Sequence, residues 1–355
     1  LCFLRDMPTH QHYIIFCADS QYQKVKLRRA AKNRSAAIYN PPPMWYNIII
    51  CKEKSAHGRQ RKEQVLKMSC EKKSDLRIMS HNIWGSDVYN RDLHMRDIYF
   101  RYEPDVLGLQ EMTPKVYASR LCELLDEKYE LLKPDTNGLV DNTPIFIRRG
   151  VFDVVKCGWH IYDGLNNHQS KSLAWAVLKK KEDGMEIGII CTHYWWQAGP
   201  ESDLARVYDA KQMTAYAHWM QVEYGIPVVA MGDLNLRIGA PAYNELISTG
   251  AMDMRMAAVE YASRSNTHHP YGTYNAETGE FENAPAPRGC HLNAIDHMFV
   301  YGREQLDVRV FDVITEQEAL DVSDHCPIFV DCKILPRPEK PVAPTYVKKE
   351  QAVKA

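Results

Sequence analysis

Six short apolar segments of this chain are bordered by an acid, an amide or a histidine. These polar groups are Asn82, Glu111, His193, the pair Asp233 and Asn235, Asp296, and the pair Asp324 and His325. Strand ends that gather on one edge of a sheet form a shared crevice, so residues far apart in sequence can meet there. Carboxylates crowded together repel one another, and a hard divalent cation with oxygen ligands relieves that repulsion. The pattern predicts a polar, metal-assisted site at one sheet edge.

Each of these motifs alone also has an ordinary structural explanation. Asp233 with Asn235 is typical of an Asx turn that closes a strand, and Glu111 comes just before a predicted helix start. A lone His193 would fit a core histidine with a backbone partner, and a lone Asp324 would fit a turn. Taken together, these explanations require six independent coincidences, which favours a common site.

The elements that would position these groups are short apolar or β-branched runs that alternate with longer helical segments. The predicted strands are Leu76–Ile83, Val106–Leu109, Ile145–Arg148, Leu173–Lys179, Met185–Thr192, Pro227–Met231, Ala294–Tyr301 and Cys326–Ile334. The predicted helices are Arg91–Tyr102, Thr113–Glu127 and Glu201–Tyr224. Several strands are almost wholly apolar, which indicates sheets buried on both faces and hence an α/β fold.

The order of the motifs is similar to that of a known family. Six motifs resemble the signature blocks of the endonuclease/exonuclease/phosphatase superfamily of magnesium-dependent phosphoesterases: Ser80-His81-Asn82-Ile83-Trp84, Leu109-Gln110-Glu111, Thr192-His193, Gly232-Asp233-Leu234-Asn235, Ile295-Asp296-His297 and Ser323-Asp324-His325. That superfamily includes pancreatic-type deoxyribonuclease, abasic-site endonucleases, deadenylases, inositol polyphosphate 5-phosphatases and neutral sphingomyelinases. The resemblance covers residues 75–335 and implies a four-layer α/β sandwich, in which two mainly antiparallel sheets lie face to face between helices.

The resemblance also implies a metal site. Glu111 matches the principal Mg²⁺ ligand of the family, with Asn82 beside it and Asp324 near or at the metal. Mn²⁺ is the expected substitute. A cation held there would neutralise a non-bridging phosphate oxygen and the departing alkoxide.

The remaining matched residues imply the reaction itself. Asp233 resembles the residue that positions or deprotonates the attacking water, and Asn235 resembles the amide that holds the phosphate. Asp296 and His325 resemble a pair in which the carboxylate fixes the imidazole tautomer and raises its basicity. His193 matches a histidine that donates to phosphate in the deoxyribonuclease and deadenylase branches. Abasic-site endonucleases typically carry Tyr there, which argues against that branch.

Three further residues are candidates for substrate binding. Trp195 and Trp196 follow His193 and would stack a base, a sugar or a lipid headgroup, although an aromatic loop that packs on its own domain is the alternative. Arg148 ends a strand and would meet phosphate, with a surface turn as the alternative. The segment from His268 to Tyr274 is a further candidate for facing substrate.

Charge divides the chain into three parts. Residues 1–74 carry 15 Lys and Arg against 5 Asp and Glu, and they are predicted to be a basic extension that is disordered or lies outside the true protein. Residues 75–335 carry 24 against 38 and form the predicted catalytic domain. Residues 336–355 are a tail rich in Pro and Lys. An acidic domain repels long polyanions, so binding to duplex DNA through a basic face is not expected.

The sequence therefore predicts hydrolysis of a phosphate mono- or diester by in-line attack of water, on a small molecule, a lipid headgroup or a short nucleic acid. The alternatives are an endonuclease or exonuclease acting on DNA or RNA and, third, an inactive phosphate-binding homologue. Ten scattered cysteines fit reduced thiols, which favours a cytoplasmic protein. No run approaches the roughly 18–20 apolar residues of a membrane span, and a monomer is expected.

Overall fold

The computed structural model describes residues 70–85, 91–164 and 171–337. Most of the predicted basic extension and of the predicted tail lies outside the described residues. The described end of the extension packs on the domain, because Arg77 donates hydrogen bonds to the carbonyl oxygens of Cys70 and Glu71.

Fifteen strands and seven α-helices make up the described part of the chain. In order they are β1 (Leu76–Asn82), α1 (Asp92–Tyr102), β2 (Val106–Gln110), α2 (Pro114–Tyr117), α3 (Leu121–Leu125), β3 (Tyr129–Leu131), β4 (Ile145–Arg148), β5 (Phe152–Ile161), β6 (Ser172–Lys180), β7 (Glu186–His193), α4 (Pro200–Tyr224), β8 (Val228–Asp233), α5 (Pro241–Ser248), β9 (Met252–Asp253), α6 (Met254–Ala257), β10 (Glu260–Tyr261), β11 (Thr273–Asn275), β12 (Glu280–Glu282), β13 (Asp296–Tyr301), β14 (Leu306–Val313), α7 (Gln317–Leu320) and β15 (Ile328–Ile334). All eight predicted strands form, each close to its predicted bounds.

The strands form two large sheets. The first has the order β10-β14-β15-β1-β2-β4-β3, the second has the order β5-β6-β7-β8-β13-β9, and β11 and β12 form a separate hairpin. Among the described pairs, β1 with β2, β10 with β14, and β7 with β8 are parallel. The other pairs of the two large sheets are antiparallel, as predicted.

The apolar core lies between the two sheets and on their outer faces. Ile78 and Val330 of the first sheet share one apolar cluster with Ile189 and Val229 of the second. Helix α4 packs on the outer face of the second sheet, and helices α1 to α3 pack on the outer face of the first. These four layers confirm the predicted fold class.

The predicted helix Thr113–Glu127 is wrong, since this stretch forms two short helices, α2 and α3. Between them, Ser119 Oγ donates to the carbonyl oxygen of Val116 at 2.6 Å and accepts from the backbone N–H of Leu121. Such side-chain bonds compete with the backbone bonds of a continuous helix.

Membrane-spanning helices and disulfide bonds can be assessed only among the described residues. No helix among them is long and apolar enough to cross a membrane. The seven cysteines within the described ranges are all free thiols. The scattered cysteine pattern is therefore not a disulfide framework in this part of the chain.

Two parallel strand pairs bring the polar strand ends to one edge. Because β1 and β2 are parallel, Asn82 and Glu111 leave the first sheet at the same end. In the second sheet, His193 lies opposite Asp233, and the antiparallel β13 places Asp296 opposite Asp233 as well. A hydrogen bond of 3.0 Å from Asn82 Nδ2 to Asp233 Oδ2 joins the two sheets at this edge.

A glycine permits the close approach of β7 and β8 beside these residues. Gly232 has a φ of +152°, and a Cβ placed on it would lie 1.9 Å from the carbonyl oxygen of Thr192. Any larger residue would therefore separate the strands that carry His193 and Asp233.

Candidate active site

A buried imidazole and carboxylate form the centre of the site. His325 Nδ1 lies 2.9 Å from Asp296 Oδ2, and the two residues are 6% and 2% exposed. Burial opposes the charged ring, but Asp296 and then Asp233 raise the pKa of His325 well above its ordinary value. The backbone N–H of Asp296 donates to Thr267 Oγ1, and that of His325 donates to Ser323 Oγ. The pair is thus fixed in place from both sides.

Asp233 lies on the open side of this ring. Its Oδ2 is 3.8 Å from His325 Nε2 and accepts from Asn82 Nδ2 and, at 3.3 Å, from Asn235 Nδ2. Its Oδ1 accepts from the backbone N–H of Asn235 at 2.9 Å. Burial alone would raise the pKa of Asp233, but the neighbouring His325 and His193 hold it well below its ordinary value. The carboxylate is therefore anionic at neutral pH.

Asn82 links Asp233 to Glu111. Its Nδ2 donates to Glu111 Oε1 at 3.2 Å as well as to Asp233, and its Oδ1 accepts from the backbone N–H of Trp84. The other oxygen of Glu111 accepts from the backbone N–H of Gly85 at 3.0 Å. A Cβ on Gly85 would lie 1.8 Å from the carbonyl oxygen of Glu111, so glycine is required there. Both oxygens of Glu111 are thereby oriented towards the crevice.

Asp324 borders the same ring from the other side. Its Oδ1 is 4.0 Å from His325 Nε2, and its Oδ2 is 3.7 Å from His268 Nε2. The His268 ring packs edge-on against the His325 ring, with centroids 5.0 Å apart. Burial would raise the pKa of Asp324, but His268 and His325 lower it below its ordinary value. The segment that starts at His268 therefore reaches the site.

Lys171 is a site residue that the sequence analysis does not identify. It lies just before β6, is 4% exposed, and places Nζ 2.8 Å from His193 Nε2. His193 Nε2 is also 3.4 Å from Asp233 Oδ2. Burial lowers the pKa of Lys171 to about 8, although Asp233 and Glu111 act in the opposite direction. A single lysine before an apolar strand carries no motif, so no sequence signal marks it.

Aromatic side chains flank the site on two sides. Trp195 and the 64%-exposed Trp196 line a cleft of about 320 Å³ together with Glu111, Lys171 and His193. On the other side, Trp84 stacks on Tyr271 with centroids 4.7 Å apart and also contacts Phe281. The structure therefore brings the predicted Trp195 and Trp196 to the crevice.

The interpretation of Arg148 as a substrate-binding residue needs correction. Because β4 runs antiparallel to β2, Arg148 lies at the end of the first sheet opposite to Glu111. Its guanidinium pairs with the buried carboxylate of Asp105. Arg148 is therefore a structural ion-pair residue at the far side of the domain.

Three residues at the site adopt a left-handed backbone conformation that is uncommon for residues other than glycine. The φ angles are 50° for Trp84, 66° for Glu111 and 49° for Asn235. Such conformations are unfavourable by roughly 1–3 kcal/mol each and occur preferentially at functional sites. Each of these residues directly follows or nearly follows a strand end, where the turn aims its side chain into the crevice.

The donor set fits a hard divalent cation. Glu111 and Asp324 offer carboxylate oxygens, which Mg²⁺ prefers, and Asn82 adds an amide oxygen that also accepts from the backbone N–H of Trp84. Within the described residues, the buried Oδ1 of Asp324 accepts no hydrogen bond and so has a lone pair available for a cation. Four carboxylates converge here when Asp233 and Asp296 are included, and a divalent cation would relieve their repulsion.

Two compact groups of acids and histidines also occur among the described residues. In each, the ligand-type atoms lie within 4.8 Å of one another: Asp233, Asp296 and His325 in one, and His268, Asp324 and His325 in the other. The first group is explained by the hydrogen-bonded pair described above. Glu111 belongs to neither group and reaches the centre through Asn82.

Comparison with known proteins supports a phosphoesterase in general. Residues 79–325, which include every residue of the crevice named above, match the model of the endonuclease/exonuclease/phosphatase family. Members of that family hydrolyse phosphoester bonds. No curated protein sequence matches the chain significantly.

Solved structures share the fold at low sequence identity. An endonuclease/exonuclease/phosphatase from Bacteroides vulgatus aligns with a TM-score of 0.58 at 20% identity, over 74% of this chain and 100% of that chain. A mannosyl-6-phosphatase from Bacteroides thetaiotaomicron aligns with a TM-score of 0.56 at 20% identity, over 73% and 100%. The human Nocturnin catalytic domain with bound sulfate aligns with a TM-score of 0.54 at 17% identity, over 73% and 94%.

Proposed function

Because the chain belongs to the endonuclease/exonuclease/phosphatase family, we propose that it is a Mg²⁺-dependent hydrolase that cleaves a phosphate mono- or diester by in-line attack of water. The observation that carries this proposal is the hydrogen-bonded series Glu111–Asn82–Asp233, which faces the Asp296–His325 pair. One crevice thus contains the anionic oxygens of Glu111, a carboxylate that can orient the attacking water (Asp233) and a cationic hydrogen-bond donor (His325). Phosphoester hydrolysis requires these three kinds of group.

We assign to Asp233 the role of orienting the attacking water molecule. Because its pKa is held low, the carboxylate is better suited to orient a water molecule than to retain the water's proton. Asn235 donates to Asp233 Oδ1 through its backbone N–H and to Oδ2 through Nδ2, which also donates to the carbonyl oxygen of Tyr194. With substrate bound, Nδ2 would exchange one of these bonds for a phosphate oxygen beside that water. The two residues would thus align the nucleophile with the phosphorus atom.

We assign to His325 the role of donating a hydrogen bond to the phosphate group. Asp296 occupies Nδ1, which leaves Nε2 to donate to a phosphate oxygen whose negative charge grows in the transition state. The raised pKa of His325 keeps the ring protonated for this purpose at neutral pH. His193 faces Asp233 from the opposite side and would donate to another phosphate oxygen.

Glu111, Asn82 and Asp324 are the residues that would hold Mg²⁺, with Mn²⁺ as the expected substitute. When bound, such an ion neutralises a phosphate oxygen and the departing alkoxide. Gly85 and Asn82 orient the Glu111 carboxylate for this role by their hydrogen bonds to its two oxygens.

The proposed substrate is a compact phosphoester, such as a small molecule, a lipid headgroup or a short nucleic acid. Residues 75–335 carry 38 acidic against 24 basic residues, which disfavours the many phosphate contacts of a long duplex. The stacked rings of Trp84 and Tyr271, with Trp195 and Trp196 opposite, support a planar or apolar leaving group. The protein is further proposed to be a cytoplasmic monomer.

The metal role is tested with Glu111→Gln in the full chain. An amide cannot supply the anionic oxygen. We therefore expect kcat/KM to fall by about 10²-fold or more and the Mg²⁺ affinity, measured by calorimetry, to weaken. Glu127→Gln, which neutralises an exposed glutamate, is the matched control and should change neither. Undiminished hydrolysis by the Glu111 variant, or full activity in excess chelator, would contradict the metal mechanism.

A substrate panel separates the proposal from its alternatives. We expect hydrolysis of compact phosphoesters or short single strands to exceed that of long duplex DNA, with little change between about 50 and 200 mM salt. Efficient duplex nicking that collapses across this salt range would instead establish a nuclease with an extended basic groove. Phosphate binding without turnover of any member of the panel would indicate an inactive homologue.

A further inference from the structure

Lys171 is a deeply buried cation that the proposed reaction does not yet use. Its backbone carbonyl accepts from the N–H of Tyr162 at 3.1 Å, so the residue is fixed between β5 and β6. Its side chain is directed to the crevice, where Nζ lies 2.8 Å from His193 Nε2. Burial of an ammonium group is unfavourable unless a partner compensates its charge.

The described residues do not supply that compensating anion at contact distance. No carboxylate among them lies within 4.0 Å of Lys171 Nζ. Lys180, at the other end of β6, is equally buried but pairs with Glu182 at 2.9 Å and Asp183 at 3.1 Å. One end of β6 thus has a lysine whose charge is paired, and the other end is preceded by a lysine whose charge faces the cleft.

The cleft beside Lys171 has room for an anion. Its volume is about 320 Å³, and Glu111, His193, Trp195 and Trp196 complete its walls. An ammonium group has three N–H donors, and its one hydrogen-bond contact among the described residues is His193 Nε2. The described residues therefore leave donors of Lys171 Nζ for oxygens of a ligand next to the Glu111 carboxylate, where the proposed metal would bind the same phosphate.

We propose that Lys171 binds a terminal oxygen of the substrate phosphate and thereby selects phosphomonoesters over phosphodiesters. The inference rests on the proposed function of the same site. A monoester has three terminal oxygens and a charge near −2 at neutral pH, whereas a diester has two and a charge of −1. The proposed metal would bind one terminal oxygen, and His325 with Asn235 would bind a second. Lys171 would donate a hydrogen bond to the third.

The test compares Lys171→Met with the matched control Lys180→Met, since they remove buried lysines from the two ends of β6. With Mg²⁺ present, we expect Lys171→Met to lower kcat/KM for 4-nitrophenyl phosphate by about 10²-fold to 10³-fold and for bis(4-nitrophenyl) phosphate by less than about 10-fold. The control should change the ratio of the two values by less than about 2-fold. Lys171→Arg, which retains the charge, should keep the monoester preference.

Binding of inorganic phosphate, measured by calorimetry, gives a readout that does not depend on turnover. Its Kd should rise at least about 10-fold in Lys171→Met and stay unchanged in Lys180→Met. Equal losses for both esters, a wild-type preference for the diester, or an unchanged phosphate Kd would each overturn the role of Lys171 while leaving a phosphoesterase. A wild-type chain that hydrolyses neither ester nor any member of the substrate panel would instead refute the proposed function, and the phosphate Kd would still decide on Lys171.

Discussion

Removal of the imidazole or its carboxylate partner should show that Asp296 and His325 act as one unit. The carboxylate lies 2.9 Å from Nδ1 and can act on substrate only through the ring. The ring also faces Asp233 at 3.8 Å and Asp324 at 4.0 Å, so it compensates the buried Asp296 and Asp233 and the half-buried Asp324. We therefore expect His325→Ala to be the more severe single change, on the order of 10³-fold to 10⁴-fold in kcat, and Asp296→Asn to cost on the order of 10²-fold.

These factors correspond to about 4–5.5 kcal/mol and about 2.7 kcal/mol of activation free energy. If the two residues acted independently, the double variant would lose on the order of 10⁵-fold to 10⁶-fold. Coupling through the ring predicts that the double variant loses little more than His325→Ala alone. The gap of about 10²-fold between these outcomes is readily measured.

The assay is steady-state hydrolysis of the best compact phosphoester at saturating Mg²⁺, with a thermal midpoint for each variant. His218→Ala removes an exposed histidine of α4 that bonds to the carbonyl oxygen of Thr249, and it serves as the control. Losses that multiply in the double variant, with all variants folded, would refute the reasoning that the carboxylate works only through the imidazole.

Two further predictions concern stability. Burial raises the pKa of Asp141 to about 6, above its ordinary 3.8, so the ionised carboxylate destabilises the fold at neutral pH. Asp141→Asn retains an oxygen for the backbone N–H of Thr143 and should raise the unfolding free energy by up to about 3 kcal/mol at pH 7.5. Urea unfolding should show this gain shrinking as the pH falls from about 6 towards 4, because the folded acid then takes up a proton and no longer buries a charge; a gain independent of pH would contradict the assignment. Arg148→Met should lower the unfolding free energy by about 1–2 kcal/mol by weakening the pairing of buried Asp105, and it should leave kcat/KM unchanged; a selective loss of activity would restore Arg148 as a substrate residue.

The core strands could be predicted because their signal is local. β-branched apolar runs that end in polar residues locate β1, β2, β7 and β8 almost to the residue, and the polar ends locate most of the candidate site. Strand β5 lies at the edge of its sheet, and Phe152 alone among its residues is buried, so it lacks the apolar run of a buried strand. The break after α2 depends on the hydrogen bonds of one side chain, Ser119, which composition does not reveal.

The two errors at the level of single residues have a common physical cause. Arg148 has its partner Asp105 43 positions earlier in the chain, and Lys171 has its partner His193 22 positions later. In both cases a charged side chain is assigned its role by a contact across the sheet. Sequence identifies the charge, but only the pairing of the strands shows which charge is neutralised and which one faces the crevice.

The hydrogen bonds at the crevice connect very distant parts of the chain. Asn82 and Asp233, which join the two sheets, are 151 positions apart. The contact of His81 on β1 with the carbonyl oxygen of His325, just before the neighbouring β15 of the same sheet, spans 244 positions. Closing loops of this length is slow and entropically unfavourable, so these contacts should form late in folding. A phosphate ligand that bridges both sheets would bind only the completed sandwich. At 100 times its Kd, such a ligand would add about 2.7 kcal/mol to the unfolding free energy of the whole domain, so a thermal shift could identify ligands of this crevice before any reaction is known.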